Sequence, residues 1–307
     1  MLARSKSLTI VSVTGHQDYA QSSSYAVQRS YLELRERIEN LRCLLVSPER
    51  PQDCPDYIQH IPCKPFGYLE YSLFMIYSLG QLIDSDYCLI VQNDGWVVDG
   101  SKWRDEFFNY DYIGGPILNL LEFKEGRFFQ RLHFSEWEKY WQDMPAHLVE
   151  YQNGGFCLRS RKLLNAPREL GLNLEIAPPL SISPDGVASF KWENDGIHLE
   201  DFWLCGYKRV ELENYGIRFA PQKLAGYFAT DRTYYQFKHG IPLNEVMGGH
   251  FGTDIILNGV NDIYMKNPLI FINYTSMINS EFFQRFFRLG YNIQISNEHL
   301  NYLKSRG

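Results

Sequence analysis

Short apolar runs alternate with amphipathic stretches through the first third of the chain. Leu8–Thr14 is apolar and β-branched, closes at Gly15, and predicts a first buried strand. Ser22–Leu41 carries Tyr25, Val27, Tyr31, Leu32, Leu34 and Ile38 and predicts a helix. Arg42–Ser47, closed by Pro48, and Tyr57–Pro62 predict two more strands. Leu69–Ile83 predicts a strongly apolar helix, and Asp86–Gln92 a fourth strand that opens onto Asn93-Asp94-Gly95. Strands alternating with helices imply an α/β class: a mostly parallel central sheet with helices on both faces. Ligands bind such sheets beyond the carboxyl ends of the strands. Thr14, Gly15 and His16 fall there at the end of strand one, and Asn93 and Asp94 at the end of strand four.

The pattern is less regular further on. Tyr112–Ile117 predicts a short strand with a glycine turn, and residues 122–150, polar and aromatic, a loop or lid. Val149–Leu158 contains Asn153-Gly154-Gly155-Phe156, and a helix is expected to begin in Arg159–Leu164. Ile182–His198 looks irregular and Leu199–Leu204 starts a helix. Arg218–Gly226 reads as strand and turn, and Ser280–Gly307 as a helix with a polar end. Neither an internal repeat nor a low-complexity linker interrupts the chain. The expected organisation is one domain over residues 1–252, with residues 253–307 as a C-terminal extension packed on it.

Composition narrows the function classes. The 307 residues are 45% hydrophobic and 21% charged, ordinary values for a globular protein. The net charge of -6 removes the basic footprint of a nucleic-acid binder, although a nucleotide could still bind locally. Aromatic residues make up 15%, which suits either a packed core or stacking on flat and sugar-like ligands. None of the six cysteines forms a C-x-x-C pair, so neither a zinc ribbon nor a thioredoxin motif is visible and a reducing compartment is expected. No apolar run approaches the roughly 20 residues needed to span a bilayer. The expected location is cytoplasmic, with peripheral contact at the inner membrane face left open.

Four constellations could carry chemistry. Asp94 ends an apolar strand, where a carboxylate can hold a hard cation or a sugar hydroxyl beside a diphosphate; Asn-Asp-Gly is equally good turn chemistry. Asn153-Gly154-Gly155 lets backbone approach a ligand closely, or simply makes a tight turn. Glu200 and Asp201 could supply a general base, or complement a helix dipole. His239 and His250, both in glycine-containing loops, could ligate a metal or bind phosphate, or be structural. No G-x-x-x-x-G-K-[ST] loop is present to support a kinase-like alternative.

In order, Gln92-Asn-Asp-Gly-Trp96, Tyr110-Asp-Tyr-Ile-Gly-Gly-Pro116, Gln152-Asn-Gly-Gly-Phe-Cys-Leu-Arg-Ser-Arg161 and Glu200-Asp201 resemble the glycosyltransferase-like DUF5672 family over roughly residues 8–252. The resemblance implies a GT-A-like fold and a hexosyltransferase-type reaction. A sugar would pass from a nucleotide-sugar donor to a hydroxyl of a glycan or glycolipid, as in polysaccharide biosynthesis. It further implies Asp201, with Glu200 beside it, as the base of an inverting transfer. Thr14, Gly15, His16, Gln92, Asn93, Asp94, Asn153, Gly154, Gly155 and His239 would line the donor, His239 lying in a Phe-x-His-Gly element. Asp94 stands where many GT-A enzymes have Asp-x-Asp, but position 96 is Trp. Mn²⁺ or Mg²⁺ held by Asp94, His239 or His250 is one expectation, and a metal-independent enzyme using His239 and nearby basic side chains is the other. A GT-A-like protein that binds nucleotide sugars without activity, and a nucleotidyltransferase, are the remaining alternatives.

Overall fold

The computed structural model describes residues 6–124, 127–132, 145–174, 180–190, 199–231, 234–252, 255–260, 268–272, 280–297, 300–301 and 304. The sheet core begins with β1 (Ser7–Val13), β2 (Asn40–Ser47), β3 (Ile58–Pro62) and β4 (Tyr87–Ile90). It continues with β5 (Gly95–Val97), β6 (Tyr112–Lys124), β7 (Arg127–Leu132) and β8 (Leu148–Ser160). All except β5 form one seven-stranded sheet in the order β3-β2-β1-β4-β8-β6-β7. β1, β2, β3 and β4 pair in parallel, while β8 runs antiparallel to both β4 and β6, and β7 antiparallel to β6. Five strands therefore point one way and two the other, so the sheet is mostly parallel.

Both faces are covered, which is why the strands read as continuous apolar runs. Leu8 and Ile10 of β1, Cys43 and Leu45 of β2, and Phe156 and Leu158 of β8 lie in one core. Their alternates Val11, Val13, Leu44, Val46 and Cys157 lie in the other. Helix α1 (Ala20–Leu34) packs on the first face through Ala26, Val27 and Leu34. The second face is covered by α2 (Tyr68–Leu73), which widens into a π-helical turn at Phe74–Ser78, and by α3 (Arg161–Glu169). It is completed by α4 (Glu200–Phe202) and the π-helical turn Trp203–Tyr207 that follows it.

Several expected boundaries shift. Helix α1 stops at Leu34 and β2 already begins at Asn40, so the helix predicted over Ser22–Leu41 overran into a turn and a strand. Ile38 sustains the helical spacing, but it reaches the core from that turn. The loop expected over 122–150 is in part the β6–β7 hairpin and the start of β8; residues 133–144 lie outside the described ones. Within 182–198, β9 (Leu180–Ile182) and β10 (Ala188–Phe190) form an antiparallel pair, and residues 191–198 are outside the described ones. A short α5 (Arg209–Asn214) is followed by α6 (Gln222–Phe228), a helix where a strand and turn were predicted. Pro221 supplies its N-cap position.

Then come β11 (Ala229–Asp231), α7 (Tyr234–His239) and β12 (Gly248–His250). A second sheet, β11-β12-β5, carries the chain beyond Asp94. Beyond residue 252, β13 (Ile255–Val260), β14 (Pro268–Ile272) and β15 (Asn292–Ile295) form a third sheet with α8 (Ser280–Arg288). A single helix had been expected over 280–307. Ile255, Leu257, Ile270, Phe286 and Tyr291 share the core of β1 and α1. Tyr291 Oη accepts from Trp96 Nε1 at 2.9 Å and Arg29 Nε at 3.2 Å. Among the described residues, no helix is long and apolar enough to cross a membrane.

Candidate active site

The ends of β1 and β4 flank a cleft of about 360 Å³ lined by Thr14, Gly15, His16, Gln92, Asn93 and Asp94, and by Tyr19, Phe66, Tyr68, Tyr71 and Ile256. The β1 end is held tightly. Thr14 Oγ1 accepts from the His16 backbone N–H at 3.1 Å, and Phe66 N–H donates to Gly15 O at 3.2 Å. A Cβ on Gly15 would lie 2.2 Å from Phe66 O, so only glycine permits this approach. His16, Tyr19 and Tyr68 are exposed at the mouth, while Tyr71 forms part of the interior wall.

Asp94 sits on a turn that lines this cleft. Gln92 and Gly95 exchange backbone hydrogen bonds at 2.7 and 2.9 Å, leaving Asn93 and Asp94 at the tip. Two later segments brace that tip, one just after β12 and one in β13. Phe251 N–H donates to Asp94 O at 2.6 Å, and Leu257 N–H donates to Asn93 O at 2.8 Å. The β5-β12-β11 register then sets the chemistry, because His250 lies opposite both Gly95 and Asp231. His250 Nε2 is 3.6 Å from Asp94 Oδ2, and His250 Nδ1 is 3.5 Å from Asp231 Oδ1. Burial opposes charge on this imidazole, but Asp94 and Asp231 outweigh it and raise its pKa to about 9. Asp94 Oδ1 is buried without a hydrogen-bond partner.

The Asn153–Gly155 segment is an irregular stretch of β8 against β6. Asn153 Oδ1 accepts from the Gly155 and Phe156 N–H groups at 2.6 and 3.3 Å, so this oxygen serves the bend rather than a ligand. The two glycines join both halves of the site. A Cβ on Gly155 would lie 2.6 Å from His250 Nε2 and 2.7 Å from Gln92 Oε1. A Cβ on Gly154 would lie 2.3 Å from Glu200 Oε1 and 2.9 Å from Asp201 Cβ.

The two adjacent acids are not equivalent. Glu200 is buried and paired with the buried Arg159 at 3.0 Å. Asp201 instead accepts backbone N–H bonds, from Gly154 at 3.1 Å and Phe202 at 2.7 Å. Burial, then the Glu200 carboxylate, raises the Asp201 carboxyl to about 6, against the pull of those N–H groups and Arg159. Glu200 is thereby a structural counter-charge, and Asp201 the acid with a pKa suited to proton transfer.

His239 does not join them. It is exposed, lies over Tyr235 with ring centroids 4.2 Å apart, and is absent from the cleft lining. Sequence reasoning missed Tyr71, Arg159 and Asp231. Tyr71 had been absorbed into an apolar helix, although Tyr68 and Tyr71 at i,i+3 share a helix face. Asp231 carries no local signal, since only strand pairing brings it to His250.

Among the described residues, no three His, Cys, Asp or Glu side chains converge on one cation position. Asp94 and His250 fit as a pair of ligands only when His250 has lost the proton that Asp94 and Asp231 favour. Their 3.6 Å separation lies within the roughly 4.2 Å that two donors about 2.1 Å from one Mg²⁺ can span. The orphaned Asp94 Oδ1 offers a further lone pair. The Asp231 carboxylate lies 3.5 Å from the far ring nitrogen, which makes no hydrogen bond of its own among the described residues.

A family model described as a protein of unknown function, DUF5672, matches residues 67–250. That is more than half of the chain, and the chain belongs to this family. No curated protein matches the sequence. Among solved structures, the chain is similar to the glycosyltransferase GlyE of Streptococcus pneumoniae, with a TM-score of 0.35 and 12% identity over 82% of this chain and 56% of that one. It is similar also to mannose-1-phosphate geranyltransferase of Thermus thermophilus, with a TM-score of 0.34 and 12% identity over 54% of this chain and 60% of that one. The chain thus spans little more than half the length of either.

Proposed function

We propose that this member of the DUF5672 family is a GT-A-type glycosyltransferase that moves a sugar from a nucleotide-sugar donor to a hydroxyl of a glycan or glycolipid. The observation that carries this reading is a gathering at the carboxyl ends of β1 and β4. Asp94 lines the cleft there, His250 abuts Asp94, and the Gly154–Gly155 backbone runs between His250 and Asp201. Tyr19 and Tyr68 offer exposed aromatic faces for the base of a nucleotide. Asp94 and His250 lie where the diphosphate and sugar would reach the sheet edge.

Asp201 acts as the base in this proposal. Its carboxylate takes the proton of the acceptor hydroxyl, whose oxygen attacks the anomeric carbon as the bond to the diphosphate breaks. Negative charge collects on the departing diphosphate and needs a preorganised positive partner. His250, held cationic between two carboxylates, supplies one. As the alternative, Mn²⁺ or Mg²⁺ would take the place of the His250 proton, would be held by Asp94 and the neutral His250 ring, and would neutralise the same charge as a Lewis acid.

A panel of nucleotide sugars, followed by nucleotide release in the wild type and in Asp201→Asn, tests the reading. Turnover that needs Asp201 supports it; undiminished turnover in the variant removes the base assignment. A second reading, a nucleotide-sugar-binding protein without transfer, is favoured by one observation. Both Asp201 oxygens are engaged by backbone N–H groups, and Asp201 does not line the cleft. Nucleotide binding without release from any donor would support that second reading.

A further inference from the structure

A second cleft lies at the other end of β5. Asp94 precedes that strand and Asp99 follows it. Asp99, the 3₁₀ turn Leu243–Glu245 and helix α8 enclose about 470 Å³, within the roughly 300–1,000 Å³ of small-molecule sites. Its polar groups carry both signs of charge. Arg285, Arg288, Glu281 and Gln284 reach it from α8, and Asn244 from the turn. None of these residues lines the cleft at Asp94.

Arg285 stands out among them. It is 7% exposed, and a buried guanidinium is normally paired with a carboxylate. Among the described residues its side chain makes one hydrogen bond, from Nη2 to Val246 O, and no ion pair. Most of its N–H groups therefore have no protein acceptor among those residues. Burial lowers its pKa against the pull of Asp99, Tyr291 and Glu245, yet a guanidinium keeps its proton at any ordinary pH. Arg288 stands one helical turn further along and donates to Gln284 Oε1 at 3.2 Å. Two guanidiniums thus share one cleft, and the buried one lacks a counter-charge. A carboxylate or phosphate on a ligand would supply it, because the guanidinium fork binds either through paired hydrogen bonds.

The acids narrow the choice. Asp99 Oδ1 accepts from the Ser101 N–H at 2.9 Å, which leaves Oδ2 for a ligand. Glu281 is exposed at the same cleft. Carboxylates repel a free phosphate ion, but they accept hydrogen bonds from hydroxyls. The amides of Asn244 and Gln284 can serve hydroxyls as donor and as acceptor. A single negative group surrounded by hydroxyls matches both sets of side chains, and that is the chemistry of a sugar acid.

We propose that this cleft binds a sugar acid, such as a uronic acid residue of a glycan, with its carboxylate on Arg285 and Arg288 and its hydroxyls on Asp99 and Glu281. The binding stands on this cleft alone. Its purpose rests on the transferase reading given above: the site grips an acidic glycan away from the Asp94 cleft, so that neutral chains are held less well.

NMR titration of methyl glucuronide into the full-length protein, with no nucleotide present, tests the proposal. Methyl glucoside, which keeps the hydroxyls and lacks the carboxylate, and inorganic phosphate are the other arms. The glucuronide should bind, and the glucoside should bind at least about tenfold more weakly, the loss expected for a charge-assisted contact. Arg288→Gln, a change on an exposed side chain, should weaken the glucuronide by about tenfold while the protein melts as the wild type does. Arg285→Lys, which keeps the charge and loses the fork, should weaken it as well. Equal affinity for the two sugars, equal affinity in the wild type and Arg288→Gln, or binding of neither sugar would overturn the proposal. Phosphate bound more tightly than the glucuronide would overturn the sugar-acid identity. Nucleotide plays no part in these titrations, so a failure here and a failure of the transferase reading are seen separately.

Discussion

Asp201 and Glu200 are neighbours in sequence and opposites in environment, and single substitutions separate them. The Asp201 carboxyl is raised to about 6 by burial and by Glu200. A base works only when ionised, so kcat/KM should fall as pH drops through about 6 and level off above it. Asp201→Asn should remove roughly 10²- to 10⁴-fold of turnover while leaving nucleotide affinity intact, as steady-state kinetics and calorimetry can check. Glu200→Ala should act on stability instead. It strands the buried Arg159 guanidinium, a defect that costs about 3–5 kcal/mol in denaturant unfolding. Much of this site was legible in the residues. Asp94, Gly154, Gly155 and Asp201 stand out because an apolar strand ending in an acid, a glycine pair and an acid at a helix start each have local chemistry. The choice between His239 and His250 was not legible. Both sit among glycines, and only the pairing of β12 with β5 and β11 brings His250 to Asp94 and Asp231.

Among the elements, the irregular stretch of β8 has the most to do. Gly155 lets His250 and Gln92 approach its backbone, and Gly154 does the same for the acid pair. Gly155→Ala would push a methyl group into both His250 and Gln92. The expected result is a folded protein, by circular dichroism, whose nucleotide affinity is at least about tenfold weaker, since small misplacements at a site cost that much or more. Unchanged affinity would mean that His250 and Gln92 do not serve the donor. Regular elements were easier to read than this one. β1, β2 and β4 announce themselves because both faces are buried, so apolar positions follow one another, as in Cys43–Val46. The helix predicted from Ser22 overran because Ile38 keeps the spacing from within a turn. The strand predicted from Arg218 is α6 instead, and Pro221 at its N-cap position is the local signal for that helix.

For the molecule as a whole, the segment beyond residue 252 is part of the same core. Ile256 lines the cleft, Leu257 hydrogen-bonds the turn that carries Asp94, and Tyr291 accepts from Trp96, two residues past Asp94. Tyr291→Phe leaves the buried Trp96 indole N–H without this acceptor. Unfolding measurements should register a loss of about 1–3 kcal/mol, and the Asp94 turn should loosen with it. Sequence reading placed this segment on the domain but could not give it a role, because its contacts with β5 and α1 span most of the chain.

The central claim is that the cleft ending at Asp94 holds a nucleotide-sugar donor. Calorimetric titration of UDP, GDP and CMP into the wild type and Asp94→Asn, with and without Mn²⁺, tests it most directly. One nucleotide should bind the wild type and bind the variant at least about tenfold more weakly, the loss expected when a charged contact worth roughly 1.5–3 kcal/mol is removed. Binding of none of the three, or equal binding to both proteins, would contradict it.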